Sequence, residues 1–251
     1  MNRLSEKVAI VTGAAMGLGA AFARGLASEG AKVMLCDIND ASPVVEEIRA
    51  AGGEAMSAIT DVTSAASVAA MVEATRSAYG GVHVLVNNAA LSSVLTPRPF
   101  YEISSEEWDR VMAVNARGTF ECAKAVAPIM RSQRYGKIIN ISTGMVYKGL
   151  PGIMHYNASK GAIMAMTRVM ARELGPENIC VNCIAPGVTP TESVLQNPGI
   201  RANLAAIQAT RAIQREETPA DLVGAIIFLA SPESDFITGQ SIPVDGGSAM
   251  N

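Results

Sequence analysis

Short runs of consecutive apolar, largely β-branched residues alternate along the chain with longer segments whose apolar positions recur at helical spacing. The first cycle is Val8–Val11, Ala20–Ala27, Ala31–Leu35 and Val44–Ala51, a β-α-β-α order. The alternation continues with strands at Ala55–Ile59, Val82–Val86, Lys137–Ile141, Ile179–Ile184 and Ser241–Val244, and with helices at Val68–Ala78, Trp108–Met130, Tyr156–Leu174 and Leu222–Leu229. Strands separated by helix-length crossovers pair in parallel, and strands apolar on both faces need helices over both faces. The predicted fold is therefore α/β, a doubly wound parallel sheet in a three-layer α/β/α sandwich. Neither a linker-like shift in composition nor an internal repeat divides the 251 residues, so 1–251 reads as a single domain. One stretch breaks the pattern: Pro186 to Asn203 is rich in Pro, Thr and Asn and poorly periodic. Long irregular segments usually carry function, and this one reads as a substrate lid around 186–210.

Composition narrows the functional classes. A chain that is 49% hydrophobic and 17% charged has ample core and no disordered character. Its net charge of −3 offers no basic surplus for phosphate backbones or anionic lipid, which argues against nucleic acid and membrane as partners. The uncharged stretch Ser77–Pro97 is interrupted by Gly, Asn and Pro and is no membrane span. Charged Glu6 and Lys7 sit close to the first short strand, so no signal peptide is visible, and a cytoplasmic location is expected. The four cysteines are too few for a disulfide scaffold; Cys180 and Cys183 form a C-x-x-C inside a predicted strand, and no metal site is expected.

The first chemistry-bearing motif follows the first strand: Thr12-Gly13-Ala14-Ala15-Met16-Gly17-Leu18-Gly19, opening directly into a helical pattern. Strand, Gly-rich turn and helix make a Rossmann-like dinucleotide-binding start. Glycines let the backbone turn sharply and approach a pyrophosphate, whose charge the free N–H groups and dipole of the helix N-terminus stabilise. The spacing is G-x-x-x-G-x-G instead of the more familiar G-x-G-x-x-G. Asp37 ends the second strand at the offset expected of a carboxylate that accepts hydrogen bonds from ribose hydroxyls and repels a 2′-phosphate. Neither its neighbours Cys36 and Ile38 nor Met16 supplies a cation, so NAD is the expected cofactor. Asp37 could instead cap a turn with Asn39 and Asp40, and Asp61 could cap the helix entered at Thr63 or reach the adenine edge.

The second motif is Tyr156-Asn157-Ala158-Ser159-Lys160 at the start of an amphipathic helix. Spacing of i, i+4 puts Tyr and Lys on one face. A free tyrosine has a pKa of about 10, and a nearby ammonium favours the phenolate and lowers it, making the phenol a usable acid/base near neutral pH. Together with Thr12-Gly13-x-x-x-Gly17-x-Gly19, Asp61-Val62, Asn87-Asn88-Ala89, Asn115, Asn140-Ile141-Ser142-Thr143, Pro186-Gly187 and the Val244-Asp245-Gly246-Gly247 tail, this motif makes the chain resemble the short-chain dehydrogenase/reductase family over essentially its whole length.

The resemblance implies reversible hydride transfer between nicotinamide and a secondary alcohol or ketone, in a homotetramer assembled through two long helices. It implies Tyr156 as acid/base, Lys160 as ligand of the nicotinamide ribose and depressor of the Tyr156 pKa, and Asn115 as holder of a water that links Lys160 to solvent. The family's serine falls on Thr143, a departure that keeps the hydroxyl but adds a methyl and stiffens χ1. Ser142 is adjacent and would point to the opposite face if the strand continues. Cofactor contacts implied are Gly13, Met16, Gly17, Leu18, Gly19, Asp37, Ile38, Asp61, Val62, Asn88, Ala89, Tyr156, Lys160, Pro186, Gly187, Thr189 and Thr191. Thr189 stands where Val or Ile is common and is expected to offer mainly backbone atoms. A mostly apolar substrate pocket is expected from Leu91, Ser92, Met145, Tyr147, Pro151, Val188 and Leu195, suiting a neutral, moderately hydrophobic small molecule. His155 and Lys148 are expected at the pocket flank or in solvent. The stretch Phe228 to Gln240 resembles branches acting on small cyclic or aryl alcohols and on pyridoxal. Two alternatives remain: an NADPH-dependent 3-ketoacyl-carrier-protein reductase, against which Asp37 argues, and a catalytically silent nucleotide-sensing protein, against which the Tyr156/Lys160 pair argues.

Overall fold

All seven apolar runs are strands of one parallel sheet: β1 (Val8–Thr12), β2 (Lys32–Asp37), β3 (Glu54–Ile59), β4 (Val84–Asn87), β5 (Gly136–Ile141), β6 (Ile179–Pro186) and β7 (Ser241–Val244). The computed structural model describes residues 2–250, and for Ser193, Pro198 and Ile200 the backbone alone. The strand order is β3-β2-β1-β4-β5-β6-β7. Alternate residues of each strand enter different cores. Ala9, Val11, Val33 and Leu35 face one layer, covered by α1 (Gly17–Ser28), α2 (Ser42–Ala50) and α10 (Pro219–Ala230). Ile10, Met34, Leu85 and Ile138 face the other, covered by α3 (Ala65–Tyr79), α5 (Gly118–Gln133) and α7 (Met154–Leu174).

Chain order reverses between β1 and β4. Crossovers after β1 run one way along the sheet and those after β4 the other, so the helices part at this point. A crevice opens beyond the carboxyl ends of the strands, the general location of ligand sites in such sheets.

Two stretches differ from expectation. The segment Trp108–Met130 is not one uniform helix: α4 (Ser105–Met112) passes through a π-helical turn, Ala113–Arg117, before α5 begins. The supposedly irregular 186–210 segment is mostly helical, with α8 (Glu192–Leu195) and α9 (Pro198–Ala209). The remaining helix, α6 (Met145–Lys148), is a single turn after β5.

Candidate active site

The two strand ends at the switch point are stitched together. The Thr12 hydroxyl accepts the backbone N–H groups of Asn88 and Ala89, each at 3.1 Å, and the Asn88 amide donates to the carbonyls of Thr12 and Gly13, each at 3.0 Å. Between them the glycine turn runs close to its neighbours. Gly13 and Gly17 adopt φ of +64° and +58°, a region costly for side-chain-bearing residues. A Cβ on Gly19 would lie 2.0 Å from the Gly13 carbonyl oxygen and 2.6 Å from the Asn88 amide. No side chain caps α1 at Met16, so its first N–H groups are left to whatever occupies the crevice. The turn thus fits a pyrophosphate: the backbone is approachable, a positive helix end is present, and Leu18 turns its side chain to the core. Gly19→Ala, which drives a methyl into backbone, is expected to weaken NADH binding at least about tenfold in a fluorescence titration. An affinity unchanged from wild type would contradict this reading of the turn.

Asp37 stands at the far end of the turn. Its Oδ2 accepts the Ala15 N–H at 3.1 Å, and its Oδ1 accepts the Asn39 N–H at 2.9 Å. The turn-capping role is thus filled by Oδ1, which also accepts the Asn39 side-chain amide at 3.2 Å, while Oδ2 keeps a lone pair for a hydroxyl donor. Exposed Met16 and Ile38 flank this end. Asp61 behaves otherwise: its Oδ1 accepts the Thr63 hydroxyl and N–H at 2.7 and 2.8 Å, bonds that lower its pKa. The helix there is capped by Ser64, so the helix-cap expectation for Asp61 is corrected to a local Asx turn. Val62 is buried behind it, tight against Gly118.

Beyond the carboxyl end of β5 the structure brings four polar side chains together. Tyr156, half-buried in the first turn of α7, has the Thr143 hydroxyl beside its phenol. Ser142 faces elsewhere and donates to the Lys160 carbonyl at 2.9 Å, so the alternation of side chains past β5 leaves Thr143 toward the phenol. Burial pushes the Tyr156 hydroxyl up to about 12, only partly offset by the Thr143 hydroxyl. The Lys160 ammonium donates to the Ile141 carbonyl at 2.7 Å and lies 5.7 Å from the centre of the Tyr156 ring. Lys160 is itself buried, which lowers it to about 8.

Asn115 reaches this cluster through the π turn, a distortion often found at functional positions. Its amide donates to the Ser159 hydroxyl at 3.0 Å and its oxygen accepts the Leu91 N–H at 2.8 Å; Ser159 in turn donates to the Tyr156 carbonyl at 2.7 Å. Asn115 therefore ties the loop after β4 to the first turn of α7. Ser159 was not singled out by the sequence, although its place inside Tyr-x-x-x-Lys was a usable signal. His155 is fully buried and bonds Glu107 of α4 at 3.2 Å, instead of flanking a pocket or meeting solvent.

Pro186 and Gly187 leave β6 beside this cluster. Thr189 does more than offer backbone atoms: its hydroxyl donates to the buried Glu217 carboxylate at 2.8 Å. Thr191 lies over the glycine turn, 3.6 Å from where a Gly17 Cβ would stand. From α8 the chain crosses the cleft, and Asn197 donates to the Ser93 carbonyl at 3.2 Å. Of the pocket candidates, Leu91, Met145 and Val188 are half-buried around the cleft, and Ser92, Pro151 and Leu195 are exposed. Tyr147 is corrected: it packs with the small cluster of Ile163, Met164, Cys183 and Ala185, its hydroxyl donating to the Ser241 carbonyl at 3.4 Å. Lys148 does not simply face solvent but bonds Ser248. Cys180 and Cys183 are buried free thiols on β6. Among the described residues no His, Cys, Asp and Glu group is arranged to hold a metal, and no helix is long and apolar enough to cross a membrane.

Comparison with known proteins bears on the family and the fold. The family described as enoyl-(acyl carrier protein) reductase matches residues 13–249. Cyclopentanol dehydrogenase of Comamonas testosteroni is 37% identical over 253 residues, covering 100% of both chains. A 3-oxoacyl-acyl-carrier-protein reductase of Thermotoga maritima is 37% identical over 250 residues, covering 98% of each. A crystal structure of a dehydrogenase/reductase from Sinorhizobium meliloti superposes with a TM-score of 0.87 at 35% identity, over 98% of this chain and 96% of that one.

Proposed function

Since the chain belongs to the short-chain dehydrogenase/reductase family and is an oxidoreductase acting on CH–OH groups, we propose that it moves a hydride between NAD and a small, neutral, moderately hydrophobic secondary alcohol or its ketone. The observation that carries the proposal is the phenol of Tyr156 beside the Thr143 hydroxyl, with the Lys160 ammonium 5.7 Å from the ring centre and the glycine turn at the same end of the sheet.

NAD, when bound, supplies the hydride acceptor. The protein's part is binding, orientation and proton movement. Gly13, Gly17 and Gly19 admit the pyrophosphate, Asp37 takes the adenosine ribose hydroxyls, and Asn88, Ala89, Pro186, Gly187, Thr189 and Thr191 border the nicotinamide end. Thr143 donates a hydrogen bond to the substrate oxygen and fixes the carbinol carbon. Tyr156 accepts the hydroxyl proton in oxidation and returns it in reduction. Lys160, charged at neutral pH, favours the phenolate that oxidation requires. Asn115 and Ser159 hold the helical turn that presents Tyr156.

The substrate class rests on the apolar lining by Leu91, Met145, Val188 and Leu195, and on a relative named for cyclopentanol. The acyl-carrier-protein reductase reading has a named relative too, but a carboxylate at position 37 repels the 2′-phosphate of NADPH. The segment 186–210 serves as the substrate lid of a single domain. Exposed Trp108, Phe120 and Val169 on α4, α5 and α7 suit burial between subunits of a homotetramer. A panel of secondary alcohols and ketones assayed with NAD(H) and NADP(H) tests the proposal. Cyclic and aryl alcohols are expected to turn over with kcat/KM at least about tenfold higher for NAD, since one repelled phosphate is worth a kcal/mol or more. A preference for NADPH, or activity confined to carrier-protein thioesters, would refute it.

A further inference from the structure

The lid has two stems, and one buried ion pair holds both. The first stem is the turn Gly187–Thr189 at the end of β6; the second is Arg211, just beyond α9. Glu217, one residue before the Thr218 cap of α10, lies between them. Both charged side chains are almost completely buried, at 3% and 5% exposure, with Arg211 Nη2 donating to Glu217 Oε2 at 3.2 Å. Apart from the Arg215 carbonyl, to which Arg211 Nη1 donates at 2.9 Å, the polar groups they engage belong to the first stem. Glu217 accepts the Thr189 hydroxyl at 2.8 Å, and Arg211 Nη2 donates to the Val188 carbonyl at 2.8 Å. Gly187 has no side chain because none fits: its Cβ would stand 2.5 Å from Glu217 Oε2 and 3.2 Å from Arg211 Nη2.

Burying two charges is unfavourable unless geometry and hydrogen bonding compensate, and an apolar pair of similar volume often serves stability as well. What an apolar pair cannot do is hydrogen-bond two consecutive residues of a turn, Val188 and Thr189, while closing on Gly187. The same contacts account for Thr at position 189, because a Val there would leave Glu217 short of a donor.

We infer that Arg211 and Glu217 are positioning residues, a clasp that fixes both stems of the lid and thereby aligns the nicotinamide end of the cleft without influencing the adenine end. The inference rests on the dinucleotide reading proposed above. Burial raises the Glu217 pKa, against the donors just named and with Asp245 as the acidic neighbour, which agrees with a group enclosed by design of the fold.

The test compares wild type, Glu217→Gln and the double variant Arg211→Met with Glu217→Leu. Readouts are kcat, KM for a cyclic alcohol, and separate titrations with NADH and with ADP-ribose, which lacks the nicotinamide. Expected for Glu217→Gln is a fall in kcat of at least about tenfold and weaker NADH binding, because sub-ångström misplacement at a reacting centre is costly. ADP-ribose affinity should stay within about twofold, an effect on one end that general loss of structure would not produce. The double variant keeps the clasp region folded if Glu217→Gln does not fold, and is expected to show the same split. Unchanged kcat in either folded variant, or equal losses for NADH and ADP-ribose, would overturn the inference. Wild type binding neither nucleotide would instead overturn the dinucleotide reading, and the clasp with it.

Discussion

Tyr156→Phe is expected to lower turnover at least about a thousandfold while leaving NADH affinity within about threefold of wild type, because a positioned acid/base is worth about 10²- to 10⁴-fold and the ring itself is retained. The hydroxyl is the only atom removed. It lies beside the Thr143 hydroxyl, and Asn115 and Ser159 hold its helical turn through contacts that the substitution leaves intact. The fold and the glycine turn should therefore be unaffected, and NADH titration separates binding from chemistry. The wild-type pH profile should have a sign. With the phenol raised to about 12 in the free protein by burial, the neutral acid predominates at neutral pH. Alcohol oxidation, which consumes a phenolate, should accelerate as pH rises, whereas ketone reduction should not. Residual oxidation by Tyr156→Phe should lose that rise. Turnover within tenfold of wild type would mean that another group moves the proton.

How much of this was legible in the chain depended on how local the determining interactions are. The strands were, because β1, β4, β5 and β6 are buried on both faces and so are nearly continuous apolar runs. The glycine turn and the Tyr-x-x-x-Lys helix were too, since each needs only one strand–turn–helix or one helical face. The helices of the lid were not. α8 has four residues, too few for a period, and α9 begins at Pro198 and, among its described side chains, has half-buried Leu204 and Ile207 as its apolar inward positions. The π turn at Asn115 left no mark in a sequence that is helical on both sides. Thr189 was read as a backbone contributor because its partner, Glu217, is 28 residues away and becomes adjacent only through packing. Tyr147 had the right neighbours in sequence but the wrong face, a distinction set by how a single-turn helix lands on β6 and α7. Lys160 was assigned to the phenol by helical spacing and by the family resemblance, and neither could register a carbonyl on β5 that takes a hydrogen bond from the ammonium.

That placement of the ammonium makes Lys160→Met the second large effect, with opposite consequences for stability and turnover. Lowering the Lys160 pKa from the ordinary 10.5 to about 8 corresponds to roughly 3 kcal/mol against the buried ammonium at neutral pH. Part of the gain from removing it is returned, since the Ile141 carbonyl loses its donor at a cost of about 1–2 kcal/mol. The net expectation is a protein about 1–2 kcal/mol more stable, its Tm higher by roughly 2–8 °C at pH 7 without nucleotide. The sign with pH follows from linkage. Between about 8 and 10.5 the unfolded chain binds the proton and the folded chain does not, so wild-type stability gains over that window as pH rises. Lys160→Met should lack that gain, so the two stabilities should cross within the window and wild type should be the more stable by about 1–2 kcal/mol as pH approaches 10.5, the worth of the Ile141 hydrogen bond. Turnover should fall at least about a hundredfold, because the charge that favours the phenolate is gone. A destabilised Lys160→Met at pH 7 would show that the Ile141 hydrogen bond outweighs the burial of charge. Retained turnover would show that the phenol is activated without the amine.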